Sequence, residues 1–216
     1  MLNHKLQKYI NLLIKRYPVL EEIQCSIIES YFIMEECYQN QGKLLIAGNG
    51  GSAADSDHIV GELMKRFKIP RPLNNELVAK LISIDPQYGK ILAENLEYSL
   101  PALSLSAHKA FLTAYINDVN ETEIYAQQIL GFGKAEDVFL GISTSGNSKN
   151  IINATTVAKA LGIKIIALTG ATGGTLSTIA NICVKVPSTE TYQIQEYHVP
   201  IYHCWCLMLE ERFFGT

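Results

Sequence analysis

The stretch Lys-Leu-Leu-Ile-Ala-Gly-Asn-Gly-Gly-Ser at residues 43–52 constrains the fold of this chain more than any other. The apolar run Leu44 to Ala47 reads as a buried strand. It breaks into the glycine turn Gly48-Asn49-Gly50-Gly51, and Ser52 stands where a helix would begin. A strand that enters a helix through such a turn gathers backbone N–H groups and the positive end of a helix dipole at one point, which suits an anion. Further along that helix His58 and Glu62 are four residues apart and therefore share a face. They lie roughly 9–15 Å beyond the turn at 1.5 Å of rise per residue.

The chain beyond this unit alternates strands with helices. Strands are expected at 102–106, 138–142, 164–168 and 182–186, with helices after each and a final helix over 192–213 that contains Pro200. Alternation of this kind implies an α/β fold, a parallel sheet with right-handed crossovers covered on both faces. Residues 2–40 read as two helices divided near Pro18, with Leu6, Ile10 and Leu13, then Leu20, Ile23 and Ile27, at helical spacing. The pattern leaves open whether a partner subunit or the chain's own domain covers them. Residues 74–99 hold helical spacing on both sides of Asp85-Pro86 and read as an inserted helical pair. Ligands of open parallel sheets sit beyond the carboxyl ends of the strands. The polar runs 48–52, 117–118 (expected at a turn), 143–148 and 169–174 all fall there.

Composition narrows the classes. A chain of 216 residues, 48% hydrophobic and 18% charged, is expected to form one folded domain over 1–216. A net charge of −3 offers no footprint for nucleic acid or an anionic membrane. The first thirty residues carry charges throughout, so neither a signal-peptide core nor a bilayer span is expected there. Five cysteines, with no zinc-finger or CxxC spacing, point to reduced thiols and a cytoplasmic location.

The run Ser143-Thr144-Ser145-Gly146-Asn147-Ser148 carries four hydroxyls between a strand and a helix. An ordinary helix cap needs one such residue, and the excess points to phosphate held by hydroxyls and N–H groups. The glycine turn lacks both G-x-G-x-x-G spacing and a P-loop ending, so no nucleotide is expected. By themselves His58 with Glu62 read as a solvated helix pair, and His203 as a packed histidine. Gln195, Glu196, His198 and His203 share an otherwise apolar helix, and polar groups there need partners if buried.

Taken together, Gly48-Asn-Gly-Gly-Ser52, His58-x3-Glu62, Asn117-Asp118, Ser143–Ser148 and Gln195-Glu-x6-His203 resemble the phosphoheptose isomerases of the sugar-isomerase (SIS) family. The likeness covers nearly the whole chain outside 74–99. It implies a doubly wound, flavodoxin-like sheet of five parallel strands with a leading helical hairpin. It also implies an aldose–ketose isomerisation of sedoheptulose 7-phosphate to D-glycero-D-manno-heptose 7-phosphate through an enediol. Glu62 and His203 match the family's acid/base pair, and His58, Glu62, Gln195 and His203 its zinc positions. Asn49, Gly50, Gly51, Ser52, Glu62, Arg66, Asn117, Asp118, Ser143, Thr144, Ser145, Ser148 and Gln195 match its substrate contacts. A homotetramer with active sites at subunit junctions is implied as well. Where the family carries Asp-Arg before Ile-Gln-Glu, this chain has Tyr192-Gln193. Two other readings remain at this stage: an SIS isomerase for another sugar phosphate, and a non-catalytic adaptor like the replication-initiator-associating homologue. The presence of Glu62 and His203 argues against the adaptor.

Overall fold

A computed structural model describes residues 2–215. Five strands, β1 (Leu44–Ala47), β2 (Ala102–Ser104), β3 (Val138–Ser143), β4 (Lys164–Thr169) and β5 (Ile182–Lys185), form one sheet. Its order is β2-β1-β3-β4-β5, and every neighbouring pair is parallel. Leu44 pairs with Ala102 on one side and Val138 on the other, so β1 and β3 sit side by side at the point where the strand order reverses. The loops leaving them diverge to opposite faces there and open a crevice.

Alternation along the strands divides the core into two layers. Leu44, Ile46, Val138, Leu140, Ile142, Ile166 and Leu168 face one side. There they meet α1 (His4–Arg16), α2 (Gln24–Gln39), α3 (Gly51–Met64) and α10 (Thr191–Phe214). Leu45, Phe139, Ile165 and Ala167 face the other. There they meet α7 (Ile124–Phe132), α8 (Lys149–Ala160) and the single turn α9 (Leu176–Ile179). Trp205, 2% exposed, donates its indole N–H to the Ile27 carbonyl at 2.9 Å and locks α10 onto α2.

The leading helices settle onto their own chain. Leu6, Ile10 and Leu13 are buried in the same cluster as Ile201, Tyr202 and Met208 of α10, and Asn3 caps α1 through the Leu6 N–H. Between them Pro18–Ile23 forms a 3-10 turn, since the fixed φ of proline suits a first helical position. The expected insertion is a helical pair, α4 (Asn75–Ile84) and α5 (Pro86–Asn95). Asp85 ends the first and caps the second through the Gln87 and Tyr88 N–H groups. One expectation is corrected here. Asn117 and Asp118 are not at a turn but close α6 (Lys109–Asp118). Nothing between Ala110 and Ile116 breaks a helix, so it runs on through Asp118.

Candidate active site

Two helices carry the site, and they run side by side in the same direction. At their N-terminal ends the Gln195 amide packs against Gly51, where an added Cβ would meet its Nε2 at 2.5 Å. Farther on, Tyr202 reaches Asp55 and His58, and His203 reaches His58. At the far end Glu210 accepts from the Phe67 and Lys68 N–H groups. The seam between α3 and α10 therefore pairs residues of like depth along its whole length.

The first end is a cavity of about 330 Å³ lined by Asn49, Gly50, Gly51 and Ser52 of the first turn, Ser143, Thr144 and Ser148 of the β3 turn, and Thr191 and Gln195 of α10. Two helix N-termini, those of α3 and α8, open onto it. Ser148 is the cap residue of α8 yet makes no side-chain cap bond; its hydroxyl meets that of Ser143 at 2.9 Å. Capping therefore does not account for these hydroxyls, and an anion has N–H and O–H donors from two directions. Gly50, at φ +56, supplies the backbone shape that lets the turn open. Tyr125 donates to the Gly48 carbonyl at 2.7 Å and holds the turn from below.

Asn49 and Asn150 exchange two amide hydrogen bonds, each 2.9 Å, and brace the two helix starts. Asn150 was not singled out in the sequence, where it is one more polar residue after Lys149. Ser145 lies outside this cavity; its hydroxyl accepts from the Asn147 N–H, and it lines an adjoining depression with Thr172 and Thr189.

The second end gathers titratable groups. His58 Nε2 lies 3.2 Å from Glu62 Oε1 and 3.4 Å from His203 Nε2, and His58 Nδ1 lies 2.9 Å from the Tyr202 hydroxyl. Tyr202 donates to Asp55 Oδ1 at 3.2 Å. Burial, with the Asp55 charge beside it, pushes the Tyr202 phenol well up, so it keeps its proton. That single proton goes to Asp55, and the phenol oxygen then accepts from His58 Nδ1–H. The other ring nitrogen of His58, Nε2, faces the Glu62 carboxyl group and His203. Burial, then the neighbouring His58, lowers the His203 pKa and favours its neutral form. Two ring nitrogens and a carboxyl oxygen thus converge, an arrangement that suits a shared proton or a cation.

The two ends remain distinct. Gln195 belongs to the anion cavity and does not join His58, Glu62 and His203, because eight residues of helix separate it from His203 and α3 runs parallel to that helix. The expected convergence of all four on one point is therefore not formed within this chain. Asp55 and Tyr202 were missed in the sequence, although Asp55 stands three residues before His58 on the same face. Arg66 is exposed and paired with Glu97, its Nε 3.6 Å from the carboxylate. Asn117 and Asp118 are exposed and bonded to each other at 2.8 Å, and line no part of the cavity.

His198, on the buried side of α10, makes one long contact, Nε2 to the Thr169 carbonyl at 3.4 Å, and its Nδ1 has no partner. Burial lowers its pKa from 6.5 to about 4. Below pH 6.5 the unfolded chain takes up this proton and the folded one does not until about pH 4. Stability is expected to fall across that window by up to about 3 kcal/mol from this group. Urea unfolding measured from pH 7 to 4 should show a shallower decline in His198→Gln; an identical decline would contradict the assignment.

A crevice at the β1/β3 reversal, two helix starts opening onto one cavity and a cluster of titratable side chains one seam away are the setting of a sugar-isomerase domain. The SIS domain family model matches residues 84–170. A phosphoheptose isomerase of Aneurinibacillus thermoaerophilus is 42% identical over 179 residues, 83% of this chain and 77% of that protein. One from Helicobacter pylori strain P12 is 38% identical over 194 residues, 90% and 88% of the two chains. Among solved structures, a phosphoheptose isomerase from Francisella tularensis superposes with a TM-score of 0.75 at 30% identity, covering 96% of this chain and 97% of its own. The chain belongs to the phosphoheptose isomerase family.

Proposed function

We propose that this protein interconverts sedoheptulose 7-phosphate and D-glycero-D-manno-heptose 7-phosphate. The observation that carries the reading is the α3–α10 seam, with an anion cavity at one end and Glu62, His58 and His203 at the other. From Ser52 to His58 the helix rises about 9 Å, a separation suited to an extended open-chain sugar held by its phosphate. Isomerisation removes a proton from C1 of the ketose and delivers one to C2, while the carbonyl moves from C2 to C1 through an enediol. Glu62 and His203 divide these transfers, each step gaining about 10²–10⁴-fold from a positioned acid or base. The Asp55–Tyr202 chain holds the His58 ring beside them. Turnover of C5–C7 sugar phosphates in a coupled assay tests the substrate; faster turnover of a pentulose or hexose phosphate would replace the heptose.

The phosphate end takes no part in the chemistry. Ser148→Ala is expected to raise KM several-fold, roughly 3–10-fold, with kcat little changed, since it removes binding common to substrate and transition state. An unchanged KM would place the phosphate elsewhere.

Zinc is proposed at the second end. Among the described residues no three His, Cys, Asp or Glu side chains close a ready-made cage. The donor chemistry nevertheless fits: ligands about 2.0–2.1 Å from a tetrahedral ion lie roughly 3.3 Å apart, and His58 stands 3.2 Å from Glu62 and 3.4 Å from His203. His58, Glu62 and His203 would hold the ion, with Gln195 outside the set, and the ion would supply Lewis acidity at the sugar oxygens. An atom bound to the ion would not also take a proton, so Glu62 and His203 would transfer protons through their other oxygen and nitrogen. Metal analysis of purified protein is expected to find about one zinc per subunit and His58→Ala to lose most of it. Metal-free active protein would remove the proposal.

A homotetramer is the proposed assembly. In support, a groove of about 280 Å³ between α1 and α10 runs past His203, and Leu12 on its wall is 48% exposed. Light scattering after size exclusion tests the state. No helix among the described residues is long and apolar enough to cross a membrane, and all five cysteines are free thiols. A cytoplasmic location is proposed on the free thiols.

A further inference from the structure

Arg71 is the one buried residue between Leu63 and Gly89, 1% exposed in a connection whose other residues are half-buried or exposed. Its partner Glu210 is 0% exposed. The Arg71 guanidinium donates from Nε and Nη2 to Glu210 Oε1, at 3.1 and 2.9 Å. From Nη1 it donates to the Leu63 carbonyl at 2.6 Å, and from Nη2 to the Glu62 carbonyl at 3.2 Å. Those carbonyls belong to the last turn of α3 and have no partner within the helix. Glu210 completes the joint by accepting from the Phe67 and Lys68 N–H groups at 2.7 and 2.8 Å. The Arg71 guanidinium carbon also lies 4.7 Å from the Phe214 ring centroid.

The placement ties this joint to the acid/base pair. Glu210 lies seven residues, close to two whole turns, beyond His203, so both project from one face of α10 toward α3. Arg71 grips the backbone of Glu62 itself. One fully desolvated ion pair therefore holds the peptide of one proposed proton-transfer residue and the helix of the other. Buried pairs of this kind contribute little net stability compared with apolar side chains of similar volume. What a fork-shaped guanidinium adds is direction, since its donors reach a carboxylate and two carbonyls at once.

We infer that Arg71 and Glu210 are positioning residues that set the placement of Glu62 relative to His203. The inference rests on the acid/base roles proposed above. Misplacement of a reacting group by about 1 Å can cost roughly 10²-fold.

Three variants are compared with the parent: Arg71→Lys, Glu210→Gln, and Arg71→Met combined with Glu210→Leu. Each is measured for thermal unfolding, kcat, KM and the primary isotope effect with substrate deuterated at C1. Arg71→Lys keeps the charge and loses the fork; the double variant replaces the pair with apolar volume. In variants that unfold cooperatively, kcat is expected to fall about 10–100-fold with KM within about threefold. The isotope effect should rise as proton abstraction becomes slower. A kcat within about twofold of the parent in folded Arg71→Lys or the double variant would overturn the inference. So would a loss of activity that only tracks the fraction folded, and so would failure of all three variants to fold, which would make the pair a folding element. Glu62→Gln serves as the control in the same assay: if it stays active, the acid/base reading fails, whereas active Arg71 variants beside an inactive Glu62→Gln sink the positioning role alone.

Discussion

Glu62→Gln and His203→Gln are each expected to lower kcat by roughly 10²–10⁴-fold, with folding and phosphate binding retained. Glutamine keeps the volume of glutamate and one accepting oxygen but cannot take a proton at neutral pH. At Glu62 the change leaves the His58 contact, 3.2 Å in the parent, able to form with an amide, so the helix face is barely disturbed. At His203 the imidazole contributes ring packing against Phe67 and Tyr202 as well as its Nε2, so a small loss of stability accompanies the loss of turnover. The cavity lined by Ser52, Ser143 and Ser148 lies at the other end of the seam and should bind inorganic phosphate or a substrate analogue with nearly parental affinity. Steady-state kinetics beside calorimetric binding check this. Substantial turnover in both variants would remove the acid/base assignment, and weakened phosphate binding would mean the two ends are not separate.

Gly146→Ala is expected to cost about 2–5 kcal/mol and to raise KM at least tenfold. Two independent effects combine. Gly146 sits at φ +67, where an alanine pays about 1–2 kcal/mol. The added Cβ would also overlap the Gly173 carbonyl oxygen, and forced overlap in a packed site costs about 1–3 kcal/mol. The backbone cannot simply give way. Gly146 O accepts from the Leu176 N–H, Thr144 O from the Gly170 N–H, and Asn147 Oδ1 from both the N–H and the hydroxyl of Thr175. The 143–148 loop is thus clamped to the 170–176 loop, and displacing one residue moves the hydroxyls that line the cavity. Gly50→Ala is the comparison: its φ is +56 but no atom lies within 4 Å of an added Cβ, so only the backbone cost applies. Denaturant unfolding is read for both variants and KM for Gly146→Ala, since Gly50 itself lines the cavity; an unchanged stability and KM in Gly146→Ala would show that the Gly173 clash is not felt.

Much of this was legible in the sequence, for a physical reason. The strand over 44–47, the glycine turn, the hydroxyl run after β3 and the helical pair around Asp85-Pro86 are local objects. Each is specified by residues within one or two turns of one another: apolar runs, glycines at positive φ, a capping aspartate. Residues 117–118 were misplaced because Asn-Asp reads as a turn, while the preceding helix had no breaker and simply continued. The arrangement of five parallel strands followed from alternation, and with it the expectation of a site at their carboxyl ends.

Depth along the seam was not legible. His58 and His203 meet from 145 positions apart, and Asp55 reaches Tyr202 across 147. Such pairs depend on how α3 and α10 lie on the same sheet face. Only the packed structure shows that they run parallel, which sends Gln195 to the cavity at one end of the seam and His203 to His58 at the other. In the sequence Arg71 is one basic residue between Pro70 and Pro72, and its burial depends on a carboxylate 139 residues away. By itself the sequence determined the elements, their order and the chemistry each loop could offer, because those depend on short-range sterics and hydrogen bonds. Tertiary structure alone decided which side chains share a site and which charge is buried, because long-range packing sets distances between helices and local preference does not.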